Sequence, residues 1–213
     1  MKEKFCTIYL VRHGETDYNK DKIVQGHLQV PLNDKGREQA RHAAQMFKLK
    51  KVDAVFSSDL IRASETAEIV AQEHNLEVTL SHALRERFLG RWQDQSGKNP
   101  PTELKKLLDA YHQLTPDEQW SKRPFPDYET NEELVGRAFT FLRSIALSYL
   151  DKRIVVVTHG GVIRVLLAHL GHISKNEIWQ YKIANTAVIE LQSDGVTFIV
   201  KKVEGLILKP TYE

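Results

Sequence analysis

Two short stretches set an imidazole between a cation or hydroxyl and glycine: Arg12-His13-Gly14-Glu15-Thr16 and Thr158-His159-Gly160-Gly161. The glycine after each histidine permits a tight strand-to-loop turn and lets backbone N–H groups approach an anion. A single His-Gly step is a turn with an incidental imidazole, and His42, His74, His112 and His169 carry no stronger signal than that. The pair differs, because each member follows an apolar run and one is preceded by arginine while the other opens a helix near Val162. Imidazoles beside a fixed cation suit nucleophilic or proton-transfer chemistry on an anionic ligand. A zinc ion shared by His13 and His159 is the alternative, but no third ligand stands at the usual spacing and the arginines would repel it. No metal is implied, and neither the GxxxxGK[ST] nor the GxGxxG pattern is present, so no nucleotide cofactor is implied either.

The elements that must position these residues are legible in outline. Residues 5–11 (FCTIYLV), 54–56 (AVF) and 154–157 (IVVV) are continuous, β-rich apolar runs, as expected of strands buried on both faces. Helical patterns lie between them. Asn33 is placed to cap a helix bearing Ala40, Ala44 and Phe47, and Ser58 a second bearing Ala63, Ala67 and Val70. Thr130 to Glu133 has capping-box spacing before a long stripe from Leu134 to Tyr149, and Ser174 to Glu177 repeats the device. Residues 187–191 and 196–200 flank Asp194-Gly195, a hairpin turn signal. The alternation predicts an α/β fold: a three-layer αβα sandwich with a mostly parallel central sheet, both histidines at carboxyl strand ends, where such sheets bind ligands.

One stretch breaks the pattern. Residues 90–129 hold Pro100, Pro101, Pro116, Pro124 and Pro126, five of the seven prolines, with one helical segment over 103–113. Its apolar residues look too scattered for a core of their own, so residues 1–213 read as a single domain with a cap inserted at about 90–129. The 213 residues carry 30 Lys+Arg against 28 Asp+Glu, a formal net charge of +2. That balance obliges neither a nucleic-acid nor a membrane partner. The first apolar run is too short for a signal-peptide core and no run approaches a membrane span. Cys6 is the single cysteine, so no intrachain disulfide forms and a cytoplasmic location is the default. The terminal hairpin offers an edge for a homodimer.

Residues 10–19 (LVRHGETDYN), Gln25-Gly26, 31–36 (PLNDKG), 57–66 (SSDLIRASET), Leu84-Arg85-Glu86 and 158–164 (THGGVIR) together resemble the histidine phosphatase superfamily, in its phosphoglycerate-mutase-like branch. RHG alone is weak; the ordered series, spanning nearly the whole chain outside the cap, is specific. The resemblance implies a phosphoric monoester hydrolase of the histidine acid phosphatase type, acting on a small-molecule phosphate monoester. By that resemblance His13 is the nucleophile and forms a phosphohistidine that water hydrolyses. Arg12, Arg62 and, once substrate is bound, a protonated His159 clamp the phosphoryl oxygens, Asn19 donates an amide hydrogen bond, and Gln25, Gly26 and Gly160 line the phosphate pocket.

The chemistry requires such a group, since the barrier reduction for a phosphate monoester exceeds about 20 kcal/mol and one preorganised donor supplies about 3 to 4. Guanidinium pairs match phosphate geometry and stay charged. Taken alone, Arg62 reads as a surface partner of Glu65 or Asp59. Glu86 is the implied general acid and base; half-protonation near neutrality needs a rise of more than about two units from its ordinary value of about 4.3, against Arg85 and Arg87. Glu15 is expected to steady a neighbouring helix or arginine, and Ser57 and Ser58 to hydrogen-bond in the pocket floor.

A mutase of the same branch would need further cations for a substrate carboxylate. It carries an ERHYG-like motif, Asn after the second His-Gly and an Arg pair in the insertion, where this chain has Glu86-Arg87-Phe88-Leu89-Gly90, Gly161 and only Lys105-Lys106 and Lys122-Arg123. These departures favour a phosphatase over a mutase, and the presence of every core residue that the resemblance assigns favours an enzyme over an idle phospholigand-binding protein. Trp92, Trp120, Phe125 and Tyr128 lie in or beside the cap, where at least half are expected to be ordinary packing.

Overall fold

The computed structural model describes residues 4–209. Six strands, β1 (Cys6–Arg12), β2 (Ala54–Ser58), β3 (Val78–Ser81), β4 (Arg153–Thr158), β5 (Tyr181–Ser193) and β6 (Phe198–Leu208), form one sheet in the order β3-β2-β4-β1-β5-β6. The first four run parallel, and β5 and β6 close the far edge antiparallel. Helices α1 (Asp17–Asp21), α2 (Asp34–Phe47), α3 (Ile61–Gln72), α4 (Thr102–His112), α5 (Pro116–Ser121), α6 (Asn131–Ser148) and α7 (Gly160–His169) connect them. The three-layer α/β sandwich expected from the sequence is the fold observed. Successive β1 side chains alternate between two cores. Ile8 and Leu10 pack with Ile154, Val156 and the apolar faces of α6 and α7, while Tyr9 and Val11 pack with Val55, Val157, Ala44 and Ala67 beneath α2 and α3. Burying each such aliphatic side chain on both faces is worth about 1.5 to 3 kcal/mol, which is why the central strands read as unbroken apolar runs.

The caps are mixed. Asn33 accepts from the Gly36 N–H at 2.8 Å, and Thr130 and Glu133 form the capping box foreseen. Ser58 does not cap α3: its hydroxyl meets the Leu60 N–H, Leu60 is the N-cap residue, and the helix starts at Ile61. Ser174 accepts from Asn176, with no reciprocal bond, and leads into a 3-10 segment, Lys175–Gln180. The hairpin is longer than expected, with Ser193 paired to Phe198 across a four-residue loop in which Asp194 Oδ1 accepts from Val196 and Thr197. Between β3 and α6, Leu104, Leu108, Phe125 and Tyr128 gather into a small cluster that Leu89 and Trp92 cover. The cluster forms because α4 brings Leu104 and Leu108, four residues apart, onto one face. Among the described residues no helix is long and apolar enough to cross a membrane.

Candidate active site

β1 and β4 are parallel neighbours at the sheet's centre, in register from Thr7 opposite Arg153 to Arg12 opposite Thr158. The chain therefore leaves both strands side by side, the His13 N–H bonds the Thr158 carbonyl at 3.0 Å, and the two imidazoles lie 5.1 Å apart. A cavity of about 250 Å³ opens at this edge. Arg12, His13, Asn19, Gln25, Gly26, Arg62 and Glu86 line it. His159 is wholly buried against His13, and Gly160 opens α7; neither lines the cavity wall. Ser57 and Ser58, expected in the floor, do not reach it, since their hydroxyls bond Ser58 O and Leu60 N. Glu15 steadies the start of α2 through Lys35 and Asn33 and holds no arginine.

His13 is 3% exposed, and its Nδ1 lies 2.6 Å from the Gly14 carbonyl oxygen. That acceptor selects the Nδ1–H tautomer and leaves the Nε2 lone pair unprotonated. Burial, then the charges of Arg62 and Arg12, push its pKa well below the ordinary histidine value, so the ring is neutral at pH 7. His159 is pushed the same way, first by burial and then by Arg62, His13 and Arg12. The protonated His159 expected from the sequence belongs to the substrate-bound state; without an anion, burial and then the charges of Arg62 and Arg12 disfavour the charged ring. An incoming dianion reverses that field.

Arg62, the second residue of α3, is 1% exposed and donates to the Leu28 and Gly26 carbonyls at 2.8 and 2.7 Å. It pairs with neither Glu65 nor Asp59, which are taken by Leu32 N–H with Arg37 and by Arg85. Arg12 donates to the Ile183 carbonyl. Burial lowers both guanidinium pKa values to about 10, which leaves them charged at pH 7. Arg12 Nε, Arg62 Nε and both His159 ring nitrogens are buried without a hydrogen-bond partner. Unmet buried polar groups cost about 1 to 3 kcal/mol each, and four converging around one imidazole describe a cradle for an anion. Asn19 adds a donor: its Oδ1 accepts from Thr16 N–H and from Asn185 Nδ2, which frees its own amide N–H groups. Gly26 sits at φ +50°, a left-handed turn that presents its carbonyl to Arg62, while the Gln25 Oε1 is unpaired.

Glu86 is held by backbone. Its carboxylate accepts from the Arg87 N–H at 2.7 Å and from the Gly161 N–H, in the first turn of α7, at 2.9 Å. A Cβ at position 161 would come 2.3 Å from Glu86 Oε1, so only glycine leaves room for that carboxylate. Arg137 of α6 fixes the segment from behind, donating to the Ala83, Arg85 and Glu86 carbonyls and pairing with Glu129. His27 Nε2 lies 2.7 Å from the same Glu86 carbonyl.

Sequence reasoning missed the upper wall. Arg87, Arg164, Trp179, Ile23, Val24 and Leu89 line the cavity together with Trp92 and Tyr128, whereas Trp120 and Phe125 do not. Arg87 was visible only as a neighbour opposing Glu86, and Arg164 only as the last letter of THGGVIR. The helical period is the signal that was available: Arg164 follows Gly160 by four residues and so returns to the same side of α7. Among the described residues no group of three or more His, Cys, Asp or Glu comes together, and a lining of four arginines with one carboxylate suits an anion.

Comparison with known proteins identifies relatives over most of the chain. The family model of the Histidine phosphatase superfamily (branch 1) matches residues 8–204. "Phosphoglycerate mutase-like protein 4" of Arabidopsis thaliana is 42% identical over 168 residues, covering 76% of this chain and 70% of its own. "Uncharacterized phosphatase PhoE" of Bacillus subtilis is 32% identical over 163 residues, 76% of each chain. Among solved structures, a mycobacterial glucosyl-3-phosphoglycerate phosphatase complexed with VO3 superposes with a TM-score of 0.80 at 26% identity, over 93% of this chain and 98% of that one.

Proposed function

The chain belongs to branch 1 of the histidine phosphatase superfamily, and from that premise we propose that it is a phosphomonoesterase working through a phosphohistidine on His13. As a member it is an enzyme of phosphatase or mutase type. The observation that carries the finer reading is the locked, neutral His13 ring beside Arg12 and Arg62, whose buried Nε atoms have no hydrogen-bond partner in the protein. In the first step the Nε2 lone pair attacks phosphorus, the P–O ester bond breaks, and the leaving oxygen takes the proton of Glu86. In the second, Glu86 takes a proton from water, whose oxygen attacks phosphorus and releases orthophosphate with return of the electron pair to His13. Arg12 and Arg62 hold the phosphoryl oxygens throughout and Asn19 orients one of them. His159, neutral before binding, becomes a donor and then a cation as the dianion enters. No cofactor takes part. Residues 90–129 act as a cap inserted in one domain, with Trp92 and Tyr128 on its inner wall.

Gly161 stands where the mutase pattern carries Asn, and that departure supports hydrolysis over transfer to a second substrate hydroxyl. One observation favours the mutase reading: Arg87 and Arg164 supply cations of the kind that the sequence had not revealed and that a substrate carboxylate requires. Incubation of wild type and His13→Ala with a labelled phosphate donor tests the common step, and with 3-phosphoglycerate the products divide the two readings. Labelled wild type with release of orthophosphate is expected. Isomerisation without release would establish the mutase, and no label with no release would overturn the enzyme reading.

A further inference from the structure

The proton donor and the phosphate clamp come from distant parts of the chain, and one side chain bridges them. Residues 25–28 form a β-turn closed by the Leu28 N–H on the Gln25 carbonyl at 3.0 Å, with Gly26 and His27 at its centre. Arg62 donates to the carbonyls on either side of His27, those of Gly26 and Leu28, so this turn fixes the guanidinium that grips the phosphoryl group. Glu86 sits in a segment that α6 and α7 hold, through Arg137 and the Gly161 N–H. Those contacts tie the acid to two helices and not to the clamp.

His27 makes that tie. Its Nε2 lies 2.7 Å from the Glu86 carbonyl oxygen, and its ring is tilted against Phe88, two residues beyond Glu86, with centroids 5.2 Å apart. Burial lowers its pKa despite the carbonyl bond, so the ring is neutral at pH 7; a carbonyl only accepts, so Nε2 carries the proton. His13 holds the opposite tautomer. The turn is braced from outside as well: the His27 N–H donates to Gln93 Oε1 at 2.7 Å, and Gln93 packs so closely on Gly26 that a Cβ there would strike it. In a phosphomonoester the phosphoryl oxygens and the leaving oxygen share one phosphorus, so clamp and acid must meet the substrate at a single separation. A misplacement of about 1 Å can cost about 10²-fold in rate. His27 does not line the cavity, and no step of the proposed mechanism uses it.

We propose that His27 is a positioning residue for the reaction, its ring bond to the Glu86 carbonyl holding the phosphate-gripping turn and the proton donor in one register. The proposal rests on the phosphatase reading of His13 and Glu86 and deepens it. His27→Leu keeps the bulk and removes the donor; His27→Gln returns an amide N–H to about the same place. The quotient of kcat on an alkyl phosphate over kcat on para-nitrophenyl phosphate reads the acid's placement within one protein, so a misfolded fraction cancels. His27→Leu is expected to lower that quotient about tenfold or more, with KM for both esters within about twofold of wild type, and His27→Gln to restore most of it. In the double variant His27→Leu with Glu86→Gln, the alkyl phosphate should turn over no more slowly than in Glu86→Gln alone, because His27 acts through that acid. Hydrogen exchange with inorganic phosphate as the ligand reads the same tie without turnover: phosphate should slow exchange at residues 86–88 in wild type and not in His27→Leu. Such protection in a wild type that hydrolyses neither ester would sink the phosphatase reading and keep the tie. A quotient unmoved by His27→Leu, equal losses on both esters, or protection that is absent from wild type or persists in His27→Leu would overturn the positioning role.

Discussion

Glu86 is held in place by two backbone N–H donors, one from its neighbour and one from the first turn of α7. A residue so fixed can deliver a proton only to an oxygen at one place, which makes its contribution depend on the leaving group. Glu86→Gln is expected to lower kcat on an alkyl phosphate by about 10²- to 10⁴-fold and on para-nitrophenyl phosphate far less, since that phenolate leaves without protonation. Gly161→Ala should reproduce the same asymmetry by displacing the carboxylate. Equal losses on both esters, in rapid-quench measurements of phosphoenzyme formation, would count against the acid role. At this scale the sequence was informative where a residue sits inside a motif at a strand end, as with Arg12, His13 and Glu86. It was silent on Arg87 and Arg164, because an arginine's partners are set by what the fold packs around it. Ion pairs with Asp59 and Glu129 that absorb Arg85 and Arg137 are likewise invisible in sequence order.

The elements act on the site through a few long-reach contacts. α6 carries Arg137 to the carbonyls of Ala83, Arg85 and Glu86 and to the carboxylate of Glu129, both ends of that pair being largely buried. Removing it leaves the Ala83 and Arg85 carbonyls without that donor and takes the ion-pair partner from Glu129, while the Glu86 carbonyl keeps only His27. Arg137→Met is therefore expected to cost about 2 to 4 kcal/mol of stability, read as a lower urea midpoint at unchanged m-value. It should also lower kcat, since the Glu86 segment loses its support; a variant as stable as wild type would show that the clamp is ornamental. Strands with long apolar runs were legible because burial on both faces demands such runs. β3 was not, since its four residues sit half exposed at the sheet edge and need no such composition. Ser58 misled for a related reason: a favourable capping residue at the last position of a strand bonds the turn itself, and the helix starts later.

Across the whole molecule, a net charge of +2 conceals an interior where burial, and then cationic side chains, hold two histidines neutral. His13 and His159 are depressed well below their unfolded pKa of about 6.5, and burial lowers His27 as well. For such groups the unfolded chain binds protons that the folded chain refuses, so unfolding free energy falls as pH drops through about 6.5 and continues to fall until the folded pKa is reached. Each fully depressed histidine contributes a slope of about 1.4 kcal/mol per pH unit in that window. Carboxylates held low by their partners, such as Asp59 beside Arg85, act in the same direction but only nearer their own lower range, so pH 6.5 to 5 isolates the histidines. Denaturant titrations at several pH values should show stability level above pH 7 and declining below 6.5. His13→Asn and His159→Asn should each remove close to one histidine's share of the slope, and curves parallel to wild type would refute buried neutral rings. Binding an inert phosphate analogue should flatten the same decline, because an anion among Arg12, Arg62 and His159 lets the folded state accept the proton that its own cations otherwise exclude.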